Sequence, residues 1–243
     1  MLGTVDPCAQ AVDKVPPSPI IARRPLVTAP SSATPSAAAA ASDAWPPAGC
    51  PPLAWPDLPD QDARLAWYRA VIAAYGALWE GHANAPRLVP ASDAALQALE
   101  QRLGCPLPPA LRDYHRQLGV LSLAETLCSV EPGDISIQPL LEAYPGIVEI
   151  DEQYLDLELA QRLVAFGDYL GNGNLFCFER GTGAVYYFDH DSGMALTRFF
   201  DSPEAYLDAL MLLCLAEVHD DDDGVEALII QRYGQDLLHK WRY

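Results

Sequence analysis

Apolar and polar positions follow the period of a helix over three stretches in the first half of the chain. Across residues 61–79, apolar side chains recur at steps of three and four, as on one face of a helix. A second helix is expected to begin after Ser92 or Asp93, which can cap free N–H groups, and to end at Gly104. A third helix is predicted over 109–118, where a proline suits the first turn.

The pattern changes toward a period of two in the second half. Apolar runs at 175–178 and 184–188 flank the Gly-Thr-Gly sequence 181–183, and a turn at 189–193 leads into a third run at 194–200. Connections this short place consecutive strands side by side and antiparallel. These residues therefore predict three sequential antiparallel strands.

The remaining segments complete an α+β pattern. Residues 135–137 alternate like a strand, while 160–166 fit either a helix end or a strand. Helices are predicted over 203–218, which starts with an oxygen cap, a proline and an acid, and around 225–233. The acidic run 220–223 between them is more typical of a solvated loop than of a contact. The expected fold is α+β, with an antiparallel-dominated twisted sheet packed by helices.

Composition changes abruptly near residue 60. Residues 1–59 hold 13 of the 22 prolines and an alanine tract, so they cannot bury enough apolar surface to offset the entropy of ordering. They are predicted to form a disordered N-terminal arm, and residues 60–243 a single domain with an N-terminal helical extension. Trp45 and Trp55 near the end of the arm leave two alternatives open, docking on the domain or a free tail.

Charge narrows the classes of partner. The chain has 15 Lys and Arg against 33 Asp and Glu, a net charge of −18. A polyanion repels nucleic acid and anionic membranes and attracts basic proteins, so we expect no nucleic-acid or membrane partner. No secretory signal, membrane-length apolar run or paired-cysteine spacing is visible, and the expected location is the cytoplasm.

Motifs for catalysis or for cofactor binding are not evident. Asp189 and Asp191 resemble part of a calcium loop, but the later ligand positions hold Gly193, Met194 and Phe200. The sequence 171–174 is followed by a strand and not by a helix with a lysine, which argues against phosphate binding. We therefore expect a protein that is not an enzyme, with no cofactor, no metal and no small-molecule substrate. A cysteine–histidine pair from distant segments stays open.

An uninterrupted acidic stretch is the positive signal. Between Arg116 and Arg162 there is no Lys or Arg and there are nine acids, five of them within 149–158. Acids interleaved with apolar side chains suit a surface that binds a basic protein. The alternative is the solvated face of an acidic protein. The predicted partner-binding residues are Glu149, Asp151, Glu152, Tyr154, Asp156 and Glu158.

Three short blocks of sequence stand out between about residues 90 and 218. The first is a helix ending in leucine-glycine, then a leucine-proline step and a helix ending in glycine, with Leu99, Leu103-Gly104, Leu107-Pro108 and Leu118-Gly119. The second is a glycine-rich turn before paired strands, with Phe166-Gly167-Asp168 and Gly171-Asn172-Gly173-Asn174. The third is the aromatic-rich start of a closing helix, with Phe199-Phe200-Asp201-Ser202 and Tyr206. In this order and spacing, the three blocks resemble the SUKH superfamily.

The resemblance implies a non-catalytic binding protein. Many bacterial members are implied to neutralise toxins, often nucleases, inside the producing cell, and fungal relatives regulate cell-wall synthesis. The family carries no catalytic residues to transfer to this chain. The first hypothesis is an immunity-type inhibitor that occludes a basic toxin, in which charge reversal at Asp151 and Glu152 slows association. The alternative is a regulatory scaffold that recruits partners through its proline-rich arm, which deletion of the arm would distinguish.

Overall fold

The structure, a computed structural model, describes residues 45–82, 85–120, 122–133, 136–149, 155–168 and 173–242. Eight α-helices lie in this part of the chain: α1 (Gln61–Leu78), α2 (Asp93–Leu103), α3 (Pro109–Gln117), α4 (Leu140–Ala143), α5 (Leu157–Arg162), α6 (Pro203–His219), α7 (Asp222–Tyr233) and α8 (Gln235–Arg242). The strands are β1 (Thr126–Leu127), β2 (Gln138–Pro139), β3 (Leu163–Asp168), β4 (Leu175–Glu179), β5 (Val185–Asp189) and β6 (Ala195–Phe200). A 3-10 helix spans Pro145–Glu149.

One antiparallel sheet forms the centre of the fold. Its strands are ordered β1-β3-β4-β5-β6, and β2 also pairs with β3. Every pairing between these strands is antiparallel. The predicted α+β fold with an antiparallel sheet is confirmed, and β4, β5 and β6 follow the three strands predicted from the period-two pattern.

The predicted helix boundaries hold because their capping groups are local. Ser92 accepts a hydrogen bond from Ala95 N at 3.1 Å, which decides between the two candidate caps of α2. Gly104 ends this helix in the left-handed conformation, with φ of 67°. Ser202 caps α6 in the same way, through Ala205 N at 3.2 Å.

Three segments differ from the sequence-based expectation. The segment 160–166 is both a helix end and a strand, since α5 ends at Arg162 and β3 begins at Leu163. The acidic run 220–223 is not all loop, because Asp221 caps α7 and the next two acids form its first turn. In the predicted strand 135–137, Ser136 makes an isolated parallel bridge to Ser129, and Ile135 lies outside the described residues.

A bulge in β6 brings two consecutive aromatic side chains into the larger core. Val185 of β5 pairs with Phe200 of β6, and the next residue, Tyr186, pairs with Arg198. Phe199 is therefore an extra residue in β6. Phe199 and Phe200 consequently both join the larger hydrophobic cluster, which strict alternation would not allow. A similar irregularity in β3 lies between Ala165 and Gly167.

The larger core lies between one face of the sheet and helices from both ends of the chain. Helix α6 contacts α1, α3, α7 and β6. Its consecutive residues Leu210, Met211 and Leu212 are all fully buried, as expected of a helix that is covered on several sides. Helix α1 is held against α6 by a buried carboxylate, since Asp208 accepts hydrogen bonds from Tyr68 OH at 2.6 Å and from Arg64 Nε at 3.1 Å.

The other face of the sheet carries a smaller core under short helices. Leu140, Ile147 and Leu155 cover this face together with Ala160 of α5. They pack on a set of sheet residues that includes Cys177. The layer above the sheet on this side is thin, and its outer surface is formed by α4, the 3-10 helix and α5.

The described part of the predicted arm is docked. Leu53, Trp55 and Leu58 pack against the larger core, and Trp45 donates a hydrogen bond to Val218 O at 2.6 Å. Of the two alternatives for the tryptophans, the structure shows docking. Residues 1–44 lie outside the described residues, so the disorder of the arm and the domain division at residue 59 stay predictions. In the part of the chain that the structure describes, no helix has the length and apolar character needed to cross a membrane.

Candidate protein-binding surface

Four acids share the outer surface of the layer that covers the smaller core. We refer to Glu142, Glu149, Asp156 and Glu158 as the acidic layer. Glu142 lies on α4, Glu149 ends the 3-10 helix, and the other two lie at the start of α5. All four are exposed. Helix α4 contacts both the 3-10 helix and α5, so the acids stand on one continuous patch of structure.

Local packing turns these acids outward. In the 3-10 helix, Ile147 is fully buried in the smaller core, which leaves Val148 and Glu149 facing solvent. Asp156 is the N-cap of α5, and its Oδ1 accepts a hydrogen bond from Leu159 N at 2.9 Å. The acid therefore has a structural task as well as an exposed charge.

Positive charge is scarce on this surface. The three helices α4, 3-10 and α5 together contain a single Lys or Arg, which is Arg162. Its Nε lies 3.0 Å from Glu179 Oε1, and its Nη1 donates to Glu158 O at 3.0 Å. The guanidinium is thus committed to a β4 carboxylate and to the backbone. Among the described residues, no ion pair involves a carboxylate of the acidic layer.

An aromatic and a histidine border the acidic layer. Tyr144 is half-buried between α4 and the 3-10 helix. Its ring contacts that of Phe188 edge-on, with 5.3 Å between the ring centroids, and its centroid lies 5.9 Å from that of the His190 ring. Asn174 Oδ1 accepts from His190 N at 2.9 Å and lies 2.8 Å from His190 Nδ1. His190 Nε2 lies 3.3 Å from Asp191 Oδ1, so the acidic β5–β6 turn adjoins this edge.

The structure describes half of the predicted partner-binding set. Glu149, Asp156 and Glu158 are exposed on one layer. Asp151, Glu152 and Tyr154 lie outside the described residues, and partner binding by all six residues stays a prediction. Sequence reasoning did not single out Val148, which is 60% exposed beside the acids.

One of the nine acids of the stretch does not belong to the surface. Glu125 is 3% exposed, and it accepts hydrogen bonds from Tyr206 OH at 2.6 Å and from Trp241 Nε1. Burial raises the pKa of this carboxyl to about 7, against the opposing effect of the two hydrogen bonds. Its place in an acidic stretch gave no sign of this, because its partners are 81 and 116 residues away.

The cysteine–histidine pair left open by the sequence exists but lacks the geometry of a nucleophile and its base. Cys50 Sγ lies 3.6 Å from His219 Nε2. The same nitrogen lies 2.9 Å from Pro51 O, and a carbonyl can only accept, so Nε2 carries the proton. A protonated nitrogen cannot take a proton from the thiol. Burial also raises the pKa of Cys50, which disfavours the thiolate.

Other candidate chemistry is equally inert. Burial raises the pKa of Cys177 well above its ordinary value, as expected for a thiol between two phenylalanines. The turn at 189–193 is held by Asp189 Oδ1, which accepts from Asp191 N and Ser192 N at 3.0 Å. Within the described residues, no group of three or more His, Cys, Asp or Glu is placed to hold a metal ion.

The comparison with protein families identifies the fold. A family model described as the SMI1 / KNR4 family (SUKH-1) matches residues 90–209, from just before α2 into α6. This part of the chain belongs to the SUKH superfamily. The resemblance predicted over about 90–218 is confirmed. A search of curated proteins found no match. SUKH domains include toxin-immunity proteins and are generally non-enzymatic immunity or regulatory domains.

Proposed function

We propose that this SUKH protein is an immunity-type inhibitor that neutralises a basic protein toxin by covering it. The observation that carries the proposal is the acidic layer, whose exposed carboxylates lack basic partners among the described residues. The predicted residues Asp151, Glu152 and Tyr154 belong to the same segment and are proposed to extend the contact. The protein performs no chemistry, and steric occlusion of the toxin is the mechanism.

Charge and apolar contacts serve different steps of such binding. Uncompensated carboxylates attract a basic partner over about a Debye length, roughly 8 Å at physiological salt, and so speed encounter. Affinity after encounter depends on apolar groups that become buried. Val148, 60% exposed, and the half-buried Tyr144 are suited to that role within or beside the acidic layer.

The test is the association rate with the partner. The partner is obtained by affinity capture from lysate of the native host, purified, and mixed with Glu149→Lys/Glu158→Lys protein in stopped flow. We expect association to slow by about tenfold or more at low salt, with a smaller loss at high salt. The matched control is Asp62→Lys/Glu80→Lys, which makes the same charge change at exposed positions on and just after α1.

If Glu149→Lys/Glu158→Lys associated as fast as wild type, the acidic layer would be removed from the interface. Equally slower association in both double variants would mean that only net charge matters. A partner without basic surface would contradict the proposal as a whole.

The arm provides the separate test for the alternative, a scaffold that recruits partners through proline-rich sequence. Because residues 45–59 pack on the domain, the deletion should remove residues 1–44 only. An inhibitor keeps its partner after this deletion, whereas a scaffold loses its partners.

A further inference from the structure

The segment just before α1 packs on the domain in the manner of a bound peptide. We refer to residues 45–58 as the strap. The described hydrogen bonds within it are local, such as Cys50 N to Pro47 O at 3.0 Å and Ala54 N to Pro52 O at 2.9 Å. It forms no strand or helix. Its order therefore depends on the surface beneath it.

Two tryptophan–proline pairs anchor the strap at matching points. Trp45 Nε1 donates to Val218 O at 2.6 Å, and Trp55 Nε1 donates to Leu228 O at 3.0 Å. In both bonds the donor and acceptor are 173 residues apart along the chain. The two tryptophans are therefore separated by the same number of residues as the two carbonyls that they contact. Val218 belongs to the last turn of α6, where helical carbonyls have no partner within the helix.

The surface under Trp55 is built from α7. Arg232 lies over the indole of Trp55, with Cζ 4.3 Å from the ring centroid. Tyr233 contacts the same indole edge-on, with 5.8 Å between the ring centroids. A cation over an indole and an edge-on ring both add to simple burial. Between the tryptophans, His219 Nε2 donates to Pro51 O at 2.9 Å. We refer to the end of α6 together with α7 as the strap groove.

We propose that the strap groove is a binding site for tryptophan–proline peptides, which this chain fills with its own residues 45–58. Prolines at 46, 47, 51, 52 and 56 stiffen the strap, so less conformational entropy is lost on docking. Large aromatic anchors separated by rigid spacers are typical of peptides that bind a groove without secondary structure of their own. An open surface cleft of about 490 Å³ lies beside Trp55, where Leu228, Gln231 and Arg232 complete its lining.

Cutting the connection to the domain tests whether docking is peptide binding. A protease recognition sequence is inserted between Pro59 and Asp60 of the full chain, which keeps Asp60 as the cap of α1. After cleavage, we expect the fragment 1–59 to elute with the domain in gel filtration at micromolar concentration. The same chain with Trp55→Ala should lose the fragment, with affinity weaker by at least about tenfold. Elution of the unsubstituted fragment on its own would overturn the proposal.

Refilling the emptied groove tests its specificity. A labelled synthetic peptide of residues 44–59 is added to the cleaved Trp55→Ala protein after its own fragment has been removed. Binding is expected, and a peptide with alanine at both tryptophan positions should bind at least about tenfold more weakly. Equal binding of the two peptides would contradict recognition of tryptophan.

A second measurement decides the matter if the inserted chain fails to fold by circular dichroism. Hydrogen exchange of the intact protein is compared with that of Trp55→Ala. We expect exchange in α7 to rise by about tenfold, while exchange in β4 is unchanged. Unchanged exchange in α7 would show that the strap is not seated there. None of these readouts needs a toxin, so their failure is distinct from failure of the inhibitor proposal.

Discussion

Individual buried side chains carry ionisable groups that differ in their response to pH. Glu125 and His115 are both nearly inaccessible, with 3% and 1% exposure. Burial disfavours the charged form of each, so it raises the pKa of the acid and lowers the pKa of the base. Their contributions to stability therefore change in opposite directions as pH rises.

Glu125 should make the domain less stable as pH increases. Its folded pKa of about 7 lies above the ordinary 4.5, so its contribution to stability is fully present below pH 4.5 and is lost as pH rises through 7. The loss is roughly 3 kcal/mol at most. Glu125→Gln should abolish this part of the pH dependence in urea unfolding, while Glu131→Gln, at an exposed acid, should leave it intact. Parallel pH profiles for wild type and Glu125→Gln would show that the carboxyl is solvated.

His115 should act in the acidic direction. Burial lowers its folded pKa to about 4 from an ordinary 6.5, and its Nε2 is buried without a hydrogen-bond partner among the described residues. Its contribution is fully present above pH 6.5 and is lost as pH falls through 4, by roughly 3 kcal/mol at most. In His115→Phe the acid-side loss should shrink, whereas His82→Gln at an exposed site should behave like wild type. Urea midpoints between pH 4 and 7 provide the measurement.

The helices owe their ends to glycines and caps whose surroundings differ. Gly104 and Gly119 both have positive φ, 67° and 60°, at or just after the ends of α2 and α3. No atom lies within 4 Å of the position that a Cβ would occupy at Gly104. At Gly119 that position falls on the backbone carbonyl of Val89, in the segment that joins α1 to α2. Glycine is therefore favoured at position 119 for two reasons, the positive φ and the lack of space for a Cβ atom.

This difference predicts unequal costs for the same substitution. Gly104→Ala should lower the free energy of unfolding by about 1 kcal/mol, the cost of a left-handed alanine. Gly119→Ala should lower it by at least about 3 kcal/mol, because the Val89 backbone must also move. Chemical denaturation of the two variants makes the comparison. Equal losses would mean that the α1–α2 connection shifts at little cost.

The whole molecule carries a net charge of −18, which favours encounter with basic partners and opposes compaction. The acidic layer contributes to that repulsion while its carboxylates form no ion pair with described residues. Such a surface lowers the stability of the fold. A binding function would be a reason to keep it despite that cost in stability.

Salt should therefore stabilise the protein. Raising NaCl from about 10 to 150 mM shortens the Debye length from about 30 to 8 Å and screens the repulsion. We expect an increase in the free energy of unfolding for wild type and a smaller increase for Glu149→Lys/Glu158→Lys, whose net charge is less negative. Thermal unfolding at the two salt concentrations gives the difference. A double variant less stable than wild type at low salt would show that the layer serves the fold.

The sequence by itself determined the elements whose signals are local. The period of apolar residues, the Ser92 and Ser202 caps and the Gly-Thr-Gly turn predicted α1 to α3, β4 to β6 and α6, because each signal lies within the element that it specifies. The short helices α4 and α8 escaped prediction and α5 was predicted only as a possible helix end, since few turns provide little periodicity.

Only the tertiary structure decided the roles of single residues within those elements. Glu125 stands in an acidic stretch yet is buried by Tyr206 and Trp241, and Trp55 lies in a proline-rich segment yet binds α7. Partners that far along the chain leave no mark in a local pattern. Whether a carboxylate faces solvent or core depends on which distant side chains the fold brings to it, and that choice is made by packing.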